Sequence, residues 1–246
     1  MTIKEYYNDG FLMSCEAVVT KICDGGVVLD KTVAYAVGGG QDGDSGFLVI
    51  GEEEVPFFDT TKFGGVALKG GEFDGIVVSS DILHHVNECD LSKFKIGQKI
   101  TVRIDVEKRA KLTMNHSGIH IALMALNELR PRIKEQIYGC KIDINGARLD
   151  FKVDEKFSQE ELDFIEKRSN EYIKNELEML TYPSSQEPEA LYWECDGYKM
   201  PCGGTHFKNT KYLGQICVKR KNIGKGVDRM KIEFLNYDLP LNLYHD

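Results

Sequence analysis

The chain has 246 residues, of which 42% are hydrophobic and 28% are charged, and its formal net charge is −8. This length allows one large domain or two modest ones with a substantial core. The acidic net charge argues against a protein that coats nucleic acid with a wholly basic surface, although a local basic face stays possible. No apolar run approaches the roughly 18 residues of a membrane span, and the N-terminal residues lack an apolar stretch with a cleavage site, so we expect neither a membrane segment nor a signal peptide.

The first hundred or so residues are predicted to form β structure. Short β-prone runs alternate with glycine pairs such as Gly25-Gly26, Gly64-Gly65 and Gly70-Gly71. Many short strands with frequent turns are typical of a small barrel. The predicted strands are Ala17–Ile22, Gly26–Leu29, Phe47–Ile50, Gly75–Ser79 and Ile100–Asp105.

The pattern changes near Val106, where a long helix is predicted. Apolar residues and histidines recur at spacings of three and four from Glu107 to Leu129, and Pro131 ends the run. A hairpin is then predicted over Gly139–Val153 because Asn145-Gly146 is a strong turn signal.

A second helix is predicted after the hairpin, and further strands follow it. Ser158 and Glu161 have the spacing of a capping box, which marks the start of this helix. From Leu191 onward the sequence again indicates strands, separated by turns such as Asp196-Gly197.

The most informative motif is a pair of histidines, His116 and His120, in the predicted long helix. Residues four apart project from one helix face, so both imidazoles can reach one metal ion. A metalloprotease helix carries a glutamate after its first histidine, and Ser117 stands at this position, which disfavours a metalloprotease. Much further along, Cys202 and His206 flank a glycine turn, again four residues apart. The four side chains provide three nitrogens and one sulfur, a donor set typical of tetrahedral zinc.

Five of the other six cysteines have no partner at ligand spacing. The total of seven is odd, and the spacings match no small disulfide scaffold, so we expect no disulfides and a reducing cytosol. In that compartment, Cys and His at ligand spacing indicate metal binding or catalysis. From the donor set alone, a closed structural zinc site and a catalytic site with water at one position both stay open. The five cysteines without a partner are Cys15, Cys23, Cys89, Cys140 and Cys217. Cys195 lies close to the metal loop and is expected to pack as a small apolar residue.

The two ligand pairs resemble the editing domain of alanyl-tRNA synthetase and its free-standing relatives, the AlaX proteins. Tyr35–Gly46, which reads YAVGGGQDGDSG, is similar to the glycine-rich motif of that family, and Gly224–Glu233 is similar to its closing strand. The resemblance covers roughly Tyr35 to Phe234. It implies an α+β fold with a small glycine-rich β-barrel over residues 1–105. An α/β metal-binding editing domain would follow over residues 106–246, of the type found as a second additional domain in threonyl- and alanyl-tRNA synthetases. A chain with both parts resembles the medium AlaX type.

The resemblance also implies an activity and a cofactor. One Zn²⁺ per chain would be held by His116, His120, Cys202 and His206, in a hydrolase that removes the amino acid from mischarged Ser-tRNA(Ala), and possible substrates include Gly-tRNA(Ala). The expected location is the cytoplasm. Because no glutamate follows His116, we expect the hydrolytic water to be activated at the zinc or by the substrate's ribose hydroxyl.

Amino-acid and tRNA recognition are assigned to further residues. In the family the glycine-rich loop contributes to serine recognition, so we expect Gln41 to discriminate the amino acid. Ile119 stands where the synthetase motif usually has threonine, which leaves the exact amino-acid preference open. The segment Phe207–Lys231 holds eight basic residues and one acid, and an ordinary solvated face is the alternative to a tRNA contact. The residues expected to contact phosphates are Lys219, Arg220, Lys221, Lys225 and Arg229.

Two other functions compete with trans-editing. The chain could be a catalytically inactive tRNA-binding module with a structural zinc site, although the presence of all four ligands and of Gln41 argues against this. It could also hydrolyse another ester or amide, and Ser-tRNA(Thr) is a nearby candidate because threonyl-tRNA synthetase has a related metal domain. The Gly-Gly-Gln loop favours the alanyl branch.

Overall fold

The first part of the chain is almost entirely β structure. The computed structural model describes residues 1–224 and 226–246. The strands of the first part are β1 (Ile3–Lys4), β2 (Ser14–Cys23), β3 (Gly26–Leu29), β4 (Lys31–Thr32), β5 (Gly46–Ile50), β6 (Glu53–Phe63), β7 (Val66–Ala67), β8 (Val77–Val78), β9 (Asp81–Val86) and β10 (Lys99–Ile104). Six of them close into a barrel in the order β10-β2-β3-β9-β6-β5, which confirms the small barrel expected from the sequence.

The barrel interior is filled by side chains from alternate strand positions. Val19, Val27, Leu48, Val55 and Val102 are fully buried there. Antiparallel pairing all the way round leaves the barrel strands without an open edge.

One predicted strand of the first part was wrong. Of the run Gly75–Ser79, only Val77–Val78 is a strand, and it pairs with the short β7. Gly75 and Ser79 both have a positive φ, which is a turn conformation. The structure also has β6 and β9, which the sequence pattern did not reveal as barrel strands.

The second part is built around one long, buried helix. Its elements are α1 (Val106–Leu129), β11 (Ile137–Asp143), β12 (Gly146–Lys152), α2 (Gln159–Lys174), β13 (Met179–Pro183), β14 (Leu191–Cys195), β15 (Tyr198–Pro201), β16 (Gln215–Gly224) and β17 (Val227–Leu235). Asp105 caps α1 by accepting a hydrogen bond from the Lys108 amide, and Ser158 and Glu161 form the expected capping box of α2. Both predicted helices and the predicted hairpin are therefore confirmed.

A four-stranded antiparallel sheet, ordered β11-β12-β17-β16, packs one face on the two helices. Its helix-facing side chains, including Ile142, Leu149, Met230 and Ile232, are buried with the apolar residues of α1. The opposite face of this sheet is turned away from the helices, and most of its side chains are exposed or half-buried. The small sheet β13-β14-β15 places the fully buried Trp193 against the side of α1.

The glycine-rich loop of the first part joins the edge of this sheet. The Asp42 amide donates to the Ile142 carbonyl at 3.0 Å, and the Ile142 amide donates to the Gly40 carbonyl at 2.7 Å. The loop is thereby paired with β11 through two backbone hydrogen bonds, and it is held beside α1.

Across residues 1–224 and 226–246, no helix is both long enough and apolar enough to cross a membrane.

Candidate metal centre

Two elements bring the four expected ligands together. α1 presents His116 and His120 on one side, with ring centroids 4.8 Å apart, and the loop that follows β15 supplies Cys202 and His206. One donor atom from each of the four residues lies within 4.8 Å of the others. The Cys202 Sγ is 3.4 Å from His116 Nε2 and 3.3 Å from His206 Nε2.

These distances and donors suit a metal ion. A nitrogen and a sulfur bound tetrahedrally to one zinc lie about 3.6 Å apart, given Zn–N and Zn–S bonds of about 2.1 and 2.3 Å. The two sulfur–nitrogen distances are close to this value. A thiolate with three imidazoles is also the type of donor set that Zn²⁺ takes. The cluster could therefore hold a metal ion, and its chemistry fits zinc.

The protonation states of the ligands are set by burial. Burial lowers the pKa of His116 to about 3 and lowers the pKa of His120 and His206 well below the ordinary value, so all three rings are neutral at pH 7 with a lone pair available. Burial also raises the pKa of the Cys202 thiol to about 12. A bound cation is what would favour the thiolate in such surroundings.

Gln41 connects the glycine-rich loop directly to the cluster. Its side chain is fully buried. The Oε1 atom accepts a hydrogen bond from His116 Nδ1 at 2.6 Å and a second from the Thr205 amide at 3.1 Å. The amide nitrogen donates to Thr205 Oγ1 at 3.1 Å. Because a carbonyl oxygen only accepts, Nδ1 of His116 carries the proton, and Nε2 is left free to face the cysteine sulfur.

Two further side chains help to hold the ligands in position, and neither was predicted from the sequence to do so. Ser117 Oγ accepts a hydrogen bond from the Phe207 amide at 3.1 Å and lies 3.4 Å from His206 Nδ1. Thr113 Oγ1 donates to Thr205 Oγ1 at 2.8 Å. Ser117 and Thr113 lie four residues apart on α1, so helical periodicity from His116 and His120 would have indicated that they belong to the same region.

The glycine before Thr205 permits this close approach. A β-carbon on Gly204 would lie 2.1 Å from the His116 ring and 2.9 Å from Gln41 Oε1. Only a residue without a side chain allows the loop to pass so close to the imidazole.

Asp44 and Arg109 fix the glycine-rich loop from its other end. Both side chains are fully buried and form an ion pair. Arg109 also donates to the carbonyls of Gly10 at 2.8 Å and Val33 at 2.7 Å. This pair joins α1 to the loop and to the N-terminal segment, and no local sequence pattern signalled it.

A cavity of about 730 Å³ opens beside the cluster. His116, His120 and Cys202 line it, together with apolar side chains that include Ile119 and Leu149. Residues of the first part, such as Tyr35, also line it. The volume lies within the range of sites for small molecules and cofactors.

Four of the five residues expected to contact tRNA are described by the structure, and these four do not lie on one face. Lys219, Lys221 and Arg229 point away from the helices, whereas Arg220 points toward them and pairs with the buried Asp228. Lys219 pairs with Glu233, and Arg229 pairs with Asp150, so acids from outside the basic segment partly neutralise it. Lys225 lies outside the described residues.

Two residues near the metal centre have apolar surroundings. Trp193 is fully buried and packs edge-to-face on His120 with centroids 4.7 Å apart. Cys195 is buried among apolar side chains, as expected. The seven cysteines, all within the described ranges, are free thiols.

Comparison with known proteins reveals relatives along almost the whole chain. It is 29% identical over 234 residues to the alanyl-tRNA editing protein AlaX-M of Pyrococcus horikoshii, which covers 94% of this chain and 97% of that protein. It is 30% identical to the alanine–tRNA ligase of Pyrococcus furiosus, over 92% of this chain and 25% of the ligase. It is 33% identical to the ligase of Campylobacter jejuni, over 84% of this chain and 24% of the ligase. The chain thus spans about a quarter of the length of these ligases. No protein-family profile matches it.

Proposed function

We propose that this chain, a relative of the alanyl-tRNA editing proteins of the AlaX-M type, is a zinc-dependent deacylase that removes serine from mischarged tRNA(Ala) in the cytoplasm. Glycine is the second candidate for the amino acid released. The observation that carries this proposal is the cluster of three imidazoles and one thiol in the wall of a cavity of about 730 Å³. Zn²⁺ bound by His116, His120, Cys202 and His206 would polarise the ester carbonyl and lower the pKa of a water molecule.

The protein's own residues prepare the cavity for an aminoacyl ester. Gln41 holds His116 in the tautomer whose Nε2 faces the cluster. Ile119 and Leu149 provide apolar wall close to the ligands, where a small side chain packs better than a charged one. The cavity is large enough to admit the terminal adenosine together with its amino acid.

The position of the ligands beside the cavity favours a hydrolase over an inactive tRNA-binding module with a structural zinc. A structural zinc site is closed by its four protein ligands and has no need of a substrate cavity. Here three of the four ligands border the cavity. An ester carbonyl in that space would be adjacent to the metal.

Gln41 is proposed to influence which amino acid is removed, without contacting that amino acid directly. Both polar ends of its amide are engaged with His116 and Thr205. Gln41 would therefore act on the choice between serine and alanine through the position of the ligands and of the loop. Ile119, which has no hydroxyl, would shape the same region by its size.

Deacylation of charged tRNA tests the proposal. Purified protein is incubated with Ser-tRNA(Ala), Gly-tRNA(Ala) and Ala-tRNA(Ala), alongside His116→Ala and the control His245→Ala, which changes an exposed histidine near the C-terminus. We expect wild type and the control to release serine or glycine and leave alanine attached, whereas His116→Ala releases none. Equal rates for His116→Ala and wild type would refute the metal-dependent mechanism. Intact Ser- and Gly-tRNA(Ala) in the presence of metal-loaded wild type would favour the inactive module.

A further inference from the structure

A row of four cations crosses the sheet of the second part. Strand register places Lys141 of β11 opposite Arg148 of β12, and Arg148 opposite Lys231 of β17. Lys231 in turn is opposite Lys219 of β16. We call these four residues the cation row. Neighbouring strands lie about 4.8 Å apart, so the row extends about 14 Å from one edge of the sheet to the other.

The cation row lies on the face turned away from the helices. Side chains alternate between faces along a strand, and the neighbours of the row, such as Ile142, Leu149 and Ile232, are buried on the helix side. The side chains of the row are between 30% and 55% exposed. They are accessible to a partner.

This face is basic although the chain is acidic. Its outward strand positions hold seven basic and three acidic residues, against a net charge of −8 for the whole chain. These residues are Lys141, Asp143, Arg148, Asp150, Lys152, Lys219, Lys221, Arg229, Lys231 and Glu233. Like charges directly opposite each other destabilise a sheet. In this row each cation also has an acidic partner, because Lys141 pairs with Asp42, Arg148 pairs with Asp150, and Lys219 and Lys231 both pair with Glu233. Three acids stand against four cations, so the row keeps a net positive charge.

One end of the row lies beside the metal centre. β11 is an edge strand of the sheet. Lys141 pairs with Asp42 of the glycine-rich loop, the residue next to Gln41. Cys140 and Leu149, on the other face of β11 and β12, line the cavity. The edge at which the row ends therefore borders the cavity.

We propose that the cation row binds the phosphate backbone of the tRNA acceptor stem and directs its 3′ end over the edge of β11 into the cavity. The inference rests on the proposed editing function and specifies how its substrate docks. A duplex backbone presents regularly spaced anions without regard to base sequence, which matches a row of cations on a sheet face. The surface differs from the basic segment Phe207–Lys231, because it includes Lys141 and Arg148 and excludes Arg220.

The test compares two variants with the same change of charge. One is Lys141→Gln, Arg148→Gln, Lys219→Gln and Lys231→Gln combined. The matched control combines Arg132→Gln, Lys134→Gln, Lys167→Gln and Lys174→Gln, which are exposed cations on α2 and after α1. The binding of an uncharged acceptor-stem RNA hairpin is measured by fluorescence anisotropy at several KCl concentrations. We expect the row variant to bind at least tenfold more weakly at low salt, with a slope of log K against log[KCl] that is shallower by about 3. The control should follow wild type, and an unchanged slope for the row variant would overturn the proposal.

A second measurement separates this inference from the proposed function. The substrates are a serine-charged acceptor-stem hairpin and a serine-charged CCA trinucleotide that has no duplex. The row variant should hydrolyse the trinucleotide at the wild-type rate and show a raised KM with little change in kcat for the hairpin. If wild type hydrolyses neither substrate, the proposed function fails. If wild type hydrolyses both and the row variant has an unchanged KM for the hairpin, the proposed function stands and the docking surface is wrong.

Discussion

Gln41 shows how a single amide can hold a metal ligand in position. Its Oε1 accepts from His116 Nδ1 at 2.6 Å and it is fully buried. Partners of this kind typically contribute tenfold to a hundredfold to metal affinity. We therefore expect Gln41→Ala to bind Zn²⁺ roughly 10- to 100-fold more weakly, measured by competition with a chromophoric chelator. Gln186→Ala, on an exposed loop, is the control, and an affinity of Gln41→Ala equal to wild type would contradict the positioning role.

Among individual residues, the metal ligands were easier to predict than the side chains that hold them in position. Two pairs at a spacing of four already identified His116, His120, Cys202 and His206 as one candidate set. The contact between Gln41 and His116 joins residues 75 positions apart, and no spacing reveals it. Arg220 was grouped with its neighbours Lys219 and Lys221 because they share a segment, although the alternation of side chains along a strand already predicts that Arg220 faces the other way.

The glycine-rich loop, as an element, depends on the buried ion pair between Asp44 and Arg109. Removing one partner of a buried pair leaves an uncompensated charge and costs about 3–5 kcal/mol. We expect Asp44→Asn to lower the free energy of unfolding by about that amount in urea titrations near pH 7. Glu135→Gln breaks the exposed pair with Arg132 and should change stability by less than about 1 kcal/mol. A loss as small as this for Asp44→Asn would show that the pair does not anchor the loop.

Elements with strong local signals were predicted well. α1, the hairpin of β11 and β12, and α2 all have a periodic pattern, a turn dipeptide or a capping box. β6 was harder to recognise because it contains Pro56 and begins among acidic residues, and its place depends on pairing with β5 and β9. This segment therefore forms a strand because it completes the closed barrel.

At the scale of the whole molecule, the candidate site belongs to both parts of the chain. Tyr35 and Gln41 come from the first part, and His116 and Cys202 come from the second. The sequence indicated a barrel and a metal-binding part, but the cavity between them could be known only from the structure. The cation row is similar, since its four residues come from four strands spread over 91 positions from Lys141 to Lys231.

The most direct test of a zinc-dependent deacylase is a titration of the metal-free protein with Zn²⁺ while the hydrolysis of Ser-tRNA(Ala) is followed. Metal content is measured in parallel at each point. We predict that the rate rises in proportion to bound zinc and reaches its plateau at one ion per chain. A protein that binds one zinc per chain and still leaves Ser-tRNA(Ala) intact, or one that hydrolyses it equally fast without metal, would contradict the account.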